Sequence, residues 1–404
     1  MRSAIMTRLP SLVATVRSSA LRTFASASAS PSPSFPVKSY YEDGERPAAL
    51  EFAKWVDEVG PTLAPPVANK MVFGKGFLKV MVVGGPNVRK DYHLQAGEEF
   101  FWQLKGTLSL HVVMNGMFQT VTVPEGHCFL LPARVPHSPR RSANSIGVVI
   151  ERGHEHTFGD SDSVPAEIDG LRWYVDDIEG AEAGEGAAPN GVLYEEYFKC
   201  YDLGQELGPV IGRFAEFQEA HGQAVMKEGE ARGIDELARM NVPAPPIVPD
   251  PTTTCHPPVK FEGWIDECMG KAAGVHDLRM GNEKVVSLLV GGGVVPLERG
   301  PDQARTNFAQ RAEAASCSHI DHPSNEALLW QVRGRATVTT KHRVVELNGM
   351  DMLLLTPDEQ PVQVASGSGS ETSGTLVVQN LTLSAAATGG GPLDGFTEQQ
   401  PLDP

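Results

Sequence analysis

The chain has 404 residues, room for two domains and a tail, and its net charge of −16 argues against nucleic acid or an anionic membrane as partner. With 41 glycines and 31 prolines it is rich in turns, which points to a β-rich fold. Its five cysteines, Cys128, Cys200, Cys255, Cys268 and Cys317, are irregularly spaced and form no C-x-x-C pair, so a reducing compartment fits better than a disulfide framework.

The first acidic residue is Glu42. Before it, Arg2, Arg8, Arg17 and Arg22 are spread through a Ser/Ala-rich stretch ending in SASASPSPSF. This is the composition of an organelle transit peptide, with a plain disordered extension as the alternative. Residues 1–35 are assigned to it, and a mitochondrial import signal would be removed before Tyr40. No window approaches the about 18 uninterrupted apolar residues of a transmembrane helix.

A first domain is expected over 36–205. Leu50, Phe52, Trp55 and Val56 are spaced as on one face of a short helix that packs on this domain. From Lys70 to Val149 short Val-, Phe- and Leu-rich runs alternate with Gly, Pro and Asn, as in a sandwich or barrel. Residues 154–200 read as looser, with a low-complexity insert at 179–191, and 192–240 read as helical. A connecting segment, 206–255, ends in the Pro-rich PAPPIVPDPTTT. β texture returns over 256–385, and 386–404 is a Gly/Pro-rich tail.

The two β regions repeat each other. EEFFWQLKGTLSL (98–110) reads against EALLWQVRGRATV (326–338), with Trp102 on Trp330 and Gly106 on Gly334. GHCFLLP (126–132) resembles GMDMLLLTP (349–357). The polar positions differ: Glu99 aligns with Ala327, His93 with Asp321, and the His137 region has no histidine in the second copy. A hydrophobic core needs only its pattern, whereas a metal site needs every ligand. The first copy is therefore expected to hold the chemistry and the second to be a metal-free structural partner.

His93, Glu99 and His137 are the candidate ligands. Six residues separate His93 from Glu99, which puts them on one face if the strand continues. Gly97 is a place for a bulge, which leaves Glu98 as the alternative. Two imidazoles and a carboxylate form a facial triad suited to non-haem Fe(II), and also accommodate Mn, Zn or Ni.

The string G-x-E-x-F-x-Q-x-x-G (97–106), followed by P-x-G and P-H up to His137, resembles the two cupin motifs, with Asp91 where the generic pattern has its first histidine. The longer GGPNVRKDYH, GEEFFWQLKG, EGHCFLLPARVPHSPRR and VVIER are similar to the 3-hydroxyanthranilate 3,4-dioxygenase family, from about Leu63 to Gly204. The resemblance implies an all-β chain of two cupin (double-stranded β-helix) domains with a few peripheral helices. It implies an Fe2+ enzyme that opens the ring of 3-hydroxyanthranilate with O2 to 2-amino-3-carboxymuconate semialdehyde. That reaction lies on the kynurenine route from tryptophan to quinolinate and NAD. The family residues fall on His93, Glu99 and His137 for iron, Arg89 for O2, Arg141 and Glu151 for the substrate, and Asn69 for the pocket. Glu151 is expected to balance Arg141. A cytoplasmic monomer, with the second cupin as internal pseudo-dimer partner, is also implied.

Plainer readings stand beside these. His111 and His127 match no ligand position and read as structural. His154, His156 and His221 read as loop residues. His319 and His322 lack a matching glutamate, and Arg134 and Arg140 read as solvent-exposed. The competing functions are another metal cupin enzyme, such as a sugar-phosphate isomerase, and a non-catalytic two-cupin binding protein. The arginine and glutamate set argues against the former, and the intact ligands of the first copy against the latter.

Overall fold

The computed structural model describes residues 46–380 apart from gaps, of which the longest are 157–165, 178–183, 229–246 and 295–318. The expected import signal and C-terminal tail lie outside the described residues. Helix α1 (Phe52–Val59) comes first, where the apolar spacing predicts it. The first barrel then uses β1 (Asn69–Phe73), β2 (Leu78–Gly84), β3 (Tyr92–Leu94), β4 (Glu99–Lys105), β5 (Leu108–Met114), β6 (Met117–Val123), β7 (His127–Leu131), β8 (His137–Arg141), β9 (Ile146–Arg152), β10 (Glu155–His156), β11 (Ala166–Tyr174) and β12 (Val192–Lys199). Helix α2 (Leu203–Glu228), β13 (Val259–Lys260) and helix α3 (Phe261–Met269) lead to the second barrel. The strands of this half are β14 (Gly274–Leu278), β15 (Lys284–Val290), β16 (Gly293–Val294), β17 (His319–Ile320), β18 (Ala327–Arg333), β19 (Ala336–Thr339), β20 (Val344–Leu347), β21 (Met352–Leu355), β22 (Gln363–Ser366) and β23 (Gly374–Asn380); β17 pairs with β10 of the first barrel, and the others build the second.

The fold is all-β, of the cupin kind. The first barrel faces a sheet of order β1-β2-β9-β4-β7-β13 with one of order β17-β10-β11-β3-β8-β5-β6, β12 pairing with β11. The second faces β14-β15-β23-β18-β21 with β16-β22-β19-β20. Strict alternation selects the faces. In β4, Phe101 joins Leu110, Val112 and Phe129 inside the barrel, while Phe100 and Trp102 turn to the other side. Among the described residues no helix is long and apolar enough to cross a membrane.

Two expectations change. Residues 192–199 form a strand, not a helix, and 166–174 a long strand rather than a loose segment. Glu195 disguises the alternation of β12: it is buried, because Arg172 on β11 gives it Nε at 2.8 Å. His221 lies in α2, and His156 in the short β10.

The repeat is kept in register. Glu99 faces Leu131 as Ala327 faces Leu355, and Trp102 faces Cys128 as Trp330 faces Met352. Both strands slip register after their glutamine, Gln103 and Gln331, and each amide donates to the carbonyl two residues on at 2.7 Å. The glycines that follow, Gly106 and Gly334, have φ of 70° and 64°, which glycine adopts without a Cβ penalty. The outer faces of the sheets that carry β4 and β18 pack into one core, with Trp102 and Trp330 ring centroids 4.5 Å apart.

The barrels also exchange arms. Leu50, just ahead of α1, bridges Met352 of the second barrel, and Phe52 packs edge-on to Trp330 at 4.9 Å. Reciprocally, β13 pairs with β7 of the first barrel, and Phe261 of α3 packs edge-on to Trp102 at 4.9 Å. Helix α1 is thus held between the barrels rather than on the first alone. Across the same interface Glu326 Oε2 accepts the Leu78 N–H at 2.7 Å.

One buried carboxylate braces the strands that carry the site. Asp177 is fully buried and accepts from Lys90 Nζ at 2.7 Å, from the Tyr92 hydroxyl at 2.6 Å and from Arg140. Tyr92 adjoins His93 and Arg140 adjoins Arg141. Burial works against the Asp177 charge, but the bonds from Lys90 and Tyr92 and the Arg140 charge outweigh it and hold the carboxyl below its usual range.

Phe52→Ala and Phe261→Ala are each expected to cost about 3–5 kcal/mol in urea unfolding. A loss under 1 kcal/mol in both would show that the arms do not hold the barrels together. Asp177→Ala is expected to cost about 3–5 kcal/mol at neutral pH, as for a broken buried pair. The folded pKa is depressed, so the wild-type advantage is complete above the ordinary aspartate value and shrinks as pH falls through the folded one. Unfolding curves from neutral pH into acid check both the size and the sign.

Candidate metal centre

Strand β3 is only three residues long, and its pairing with β8 sets His93 opposite His137. The ring centroids stand 5.1 Å apart at 74°. The chain then bends at Ala96 and Gly97 and re-enters as β4, whose first residue is Glu99, on the opposing sheet. His93 and Glu99 therefore do not share a strand face. The strand breaks between them, and the barrel's two sheets bring them together. Glu99 Oε1 lies 3.0 Å from His137 Nε2 and 3.7 Å from His93 Nδ1. One ligand atom from each residue falls within 4.8 Å of the others, and all three side chains are buried. Glu98 is buried too but lies outside this group.

This donor set fits a divalent cation. Glu99 Oε1 is buried without an aligned hydrogen-bond partner, a state that costs free energy unless a cation answers it. His137 Nδ1 lies 3.0 Å from the Val135 carbonyl, which leaves Nε2 facing Glu99. Burial opposes the Glu99 charge, yet the His137 and His93 rings outweigh it and hold the carboxyl well below its usual range.

Arg141 is the cation of the site. It is buried, its Nη1 donates to Gln103 Oε1 at 3.0 Å, and its Nε has no partner among the described residues. Burial lowers its pKa to about 10 against the pull of Glu99, so it stays charged at neutral pH. Gly147 allows this close packing: a Cβ there would lie 2.8 Å from Gln103 Oε1 and 2.9 Å from Arg141 Nη1. Glu151 was expected to balance Arg141, but its partner across the sheet is Lys79, and no ion pair joins it to Arg141 among the described residues. Burial and the Glu99 and Asp169 charges raise the Glu151 carboxyl to about 8, with His93 and Lys79 pulling against them.

Arg89 lies 3.4 Å through Nε from Asp91 Oδ1, while its buried Nε and Nη1 lack an aligned acceptor. Asn69 opens β1, its buried Oδ1 without a partner among the described residues, close to Gly204 in the first turn of α2. Sequence reasoning missed Gln103, Lys79 and Asp169. Gln103 lies within the quoted G-x-E-x-F-x-Q motif and was open to detection there, whereas the other two carry no local signal.

The remaining basic residues also find places. Arg134 and Arg140 are not solvent-exposed: Arg134 meets Asp250 at 3.4 Å and Arg140 meets Asp177. His127 Nδ1 lies 3.0 Å from the Glu125 carbonyl, and neither it nor His111 joins the ligand group. His154, His322 and Asp321 lie outside the described residues.

Comparison with known proteins identifies the family. The family model described as 3-hydroxyanthranilic acid dioxygenase matches residues 45–215. A 3-hydroxyanthranilate 3,4-dioxygenase of Nematostella vectensis is 33% identical over 303 residues, 75% of this chain and 90% of that protein. The Homo sapiens protein of that name is 33% identical over 305 residues, 74% of this chain and 86% of its own. The Rattus norvegicus one is 46% identical over 160 residues, 40% and 49% respectively. A cupin 2 conserved barrel domain protein from Leptotrichia buccalis superposes with a TM-score of 0.37 at 8% identity, over 83% of this chain and 97% of its own. With a family match across the whole metal centre and relatives aligned over nearly their full length, the chain belongs to the 3-hydroxyanthranilate 3,4-dioxygenase family and is a dioxygenase.

Proposed function

We propose that the chain opens the ring of 3-hydroxyanthranilate with O2 at Fe2+ held by His93, Glu99 and His137. The product is 2-amino-3-carboxymuconate semialdehyde, which places the reaction on the kynurenine route from tryptophan to quinolinate and NAD. The observation that carries this reading is the buried imidazole–carboxylate–imidazole group with a buried, charged Arg141 beside it. A non-haem ferrous ion in such a triad supplies open coordination positions and redox chemistry toward O2.

The side chains take separate roles. Arg141, aimed by Gln103, offers its remaining N–H donors to the substrate carboxylate as a planar fork. Glu151, whose carboxyl pKa is raised by burial and the Glu99 and Asp169 charges, works with Arg141 to orient the substrate through a hydrogen bond. Arg89 contributes N–H donors on the O2 side, and Asn69 an acceptor oxygen to the pocket. The aromatic and aliphatic lining, Phe101, Phe129 and Val112 among it, keeps the ring out of water. The proposed division keeps 36–205 as the catalytic cupin and 256–385 as a packing partner in place of a second subunit, joined by 206–255. The reciprocal arms support that division, and the arm substitutions above test it.

Anaerobic loading with Fe2+ followed by 3-hydroxyanthranilate and air should give stoichiometric O2 uptake with a new semialdehyde absorbance. Both should be lost in His93→Ala. Iron-loaded wild type that takes up no O2 with this substrate would sink the assignment. Arg141→Lys keeps the charge but loses the fork. It is expected to lower kcat/KM roughly ten- to hundredfold, about 1.5–3 kcal/mol for a charged hydrogen bond. An unchanged kcat/KM would remove Arg141 from substrate binding.

A further inference from the structure

Behind the ligands lies a second, largely buried layer that none of these roles uses. His93 presents Nδ1 to Glu99 and Nε2 to Asp169, whose Oδ2 is 3.1 Å away. Among the described residues Nε2 has no other acceptor, and its N–H lies off the line to Oδ2, so the contact is a close polar approach rather than an aligned hydrogen bond.

Asp169 reaches this position through sheet register. Strand β11 pairs with β3 so that Leu171 faces His93, and Asp169, two residues earlier, shares its face. On the other side β12 sets Phe198 opposite Asp169. The thiol of the buried Cys200, which follows β12, lies against the Asp169 carboxylate and favours its charged form. Lys79, also buried, gives Nζ to the Cys200 carbonyl at 3.0 Å and balances the charges of Asp169 and Glu151. Asp169 is thus held from two strands with its free oxygen on the ring.

The two histidines are oriented by the same device. His137 has the Val135 carbonyl on Nδ1, which leaves Nε2 for the ion. For His93 no backbone carbonyl among the described residues takes that place, and Asp169 stands there. An acceptor on the remote nitrogen of a ligating imidazole fixes its tautomer and ring angle and strengthens its donor atom.

We propose that Asp169 is the positioning residue for His93, acting through an acceptor oxygen on Nε2 that is held in place by Cys200 and Lys79. The inference rests on the metal-centre reading and concerns metal affinity, not substrate. The test is titration of the metal-free full-length protein with Co2+, followed by absorbance, for wild type, Asp169→Ala and Asp169→Asn, with urea unfolding of each metal-free protein alongside. Asp169→Ala is expected to bind Co2+ about 10- to 100-fold more weakly, and Asp169→Asn, which keeps an oxygen at the same place, to recover most of that loss. A purely structural role would instead make affinity follow stability across the three proteins. Asp169→Ala within twofold of a metal-binding wild type, or Asp169→Asn as weak as Asp169→Ala, overturns the role of Asp169 alone. A wild type that binds no Co2+ removes the metal-centre reading and Asp169 with it. Should Asp169→Ala fail to fold, proton NMR of the wild-type Co2+ protein decides: two slowly exchanging imidazole N–H signals support the proposal, and one overturns it.

Discussion

Across the short β3 and β8, His93 meets His137, and Glu99 comes down on both from the opposing sheet. Three ionisable groups in one buried space cannot be satisfied by water, so the surrounding barrel has to answer them. It does so with further charge: Asp169 on the remote side of His93, Lys79 beside Glu151 and Asp169, and Arg141 near Glu99. The apolar shell of Phe101, Leu110, Val112 and Phe129 keeps the dielectric low, which strengthens each of these interactions and makes any missing partner costly.

The second barrel shows what the same strand becomes without that demand. Ala327 occupies the register position of Glu99, opposite Leu355, and Leu329, Val338, Leu353 and Val377 pack around it. With an apolar cluster in place of the Glu99 carboxylate, its outer face serves as a surface for the first. The tryptophan pair and the exchanged arms make the contact one continuous core rather than two domains touching. The Glu326 carboxylate secures the start of β2, the strand that carries Lys79, so the second barrel is fastened one residue from the buried charge layer of the first.

Much of this was legible in the residues. The helix over Phe52–Val59 showed in its apolar spacing, and the strands over 69–152 in their short Val- and Phe-rich runs. The repeat of FFWQLKG and LLWQVRG was strong enough to anticipate matching strands, though not their common register slip. Residues 192–199 were hidden because the period-two signal assumes that charges face water, and Glu195 is buried against Arg172. Arg134 and Arg140 were misread for the same reason, each having an acidic partner distant in sequence.

By itself the sequence determined the all-β class and the doubling of the domain, and it singled out the three candidate ligands, because hydrophobic period and motif spacing are local properties of the chain. It did not determine how His93 and Glu99 meet, since the strand parity that seemed to join them is broken at Ala96 and Gly97. Only the tertiary structure placed Asp169 on His93, Gln103 on Arg141, Lys79 beside Glu151, and each arm on the opposite barrel. These contacts depend on which strands pair and in what register. That is decided by the joint burial of both sheets, and no short stretch of residues carries it.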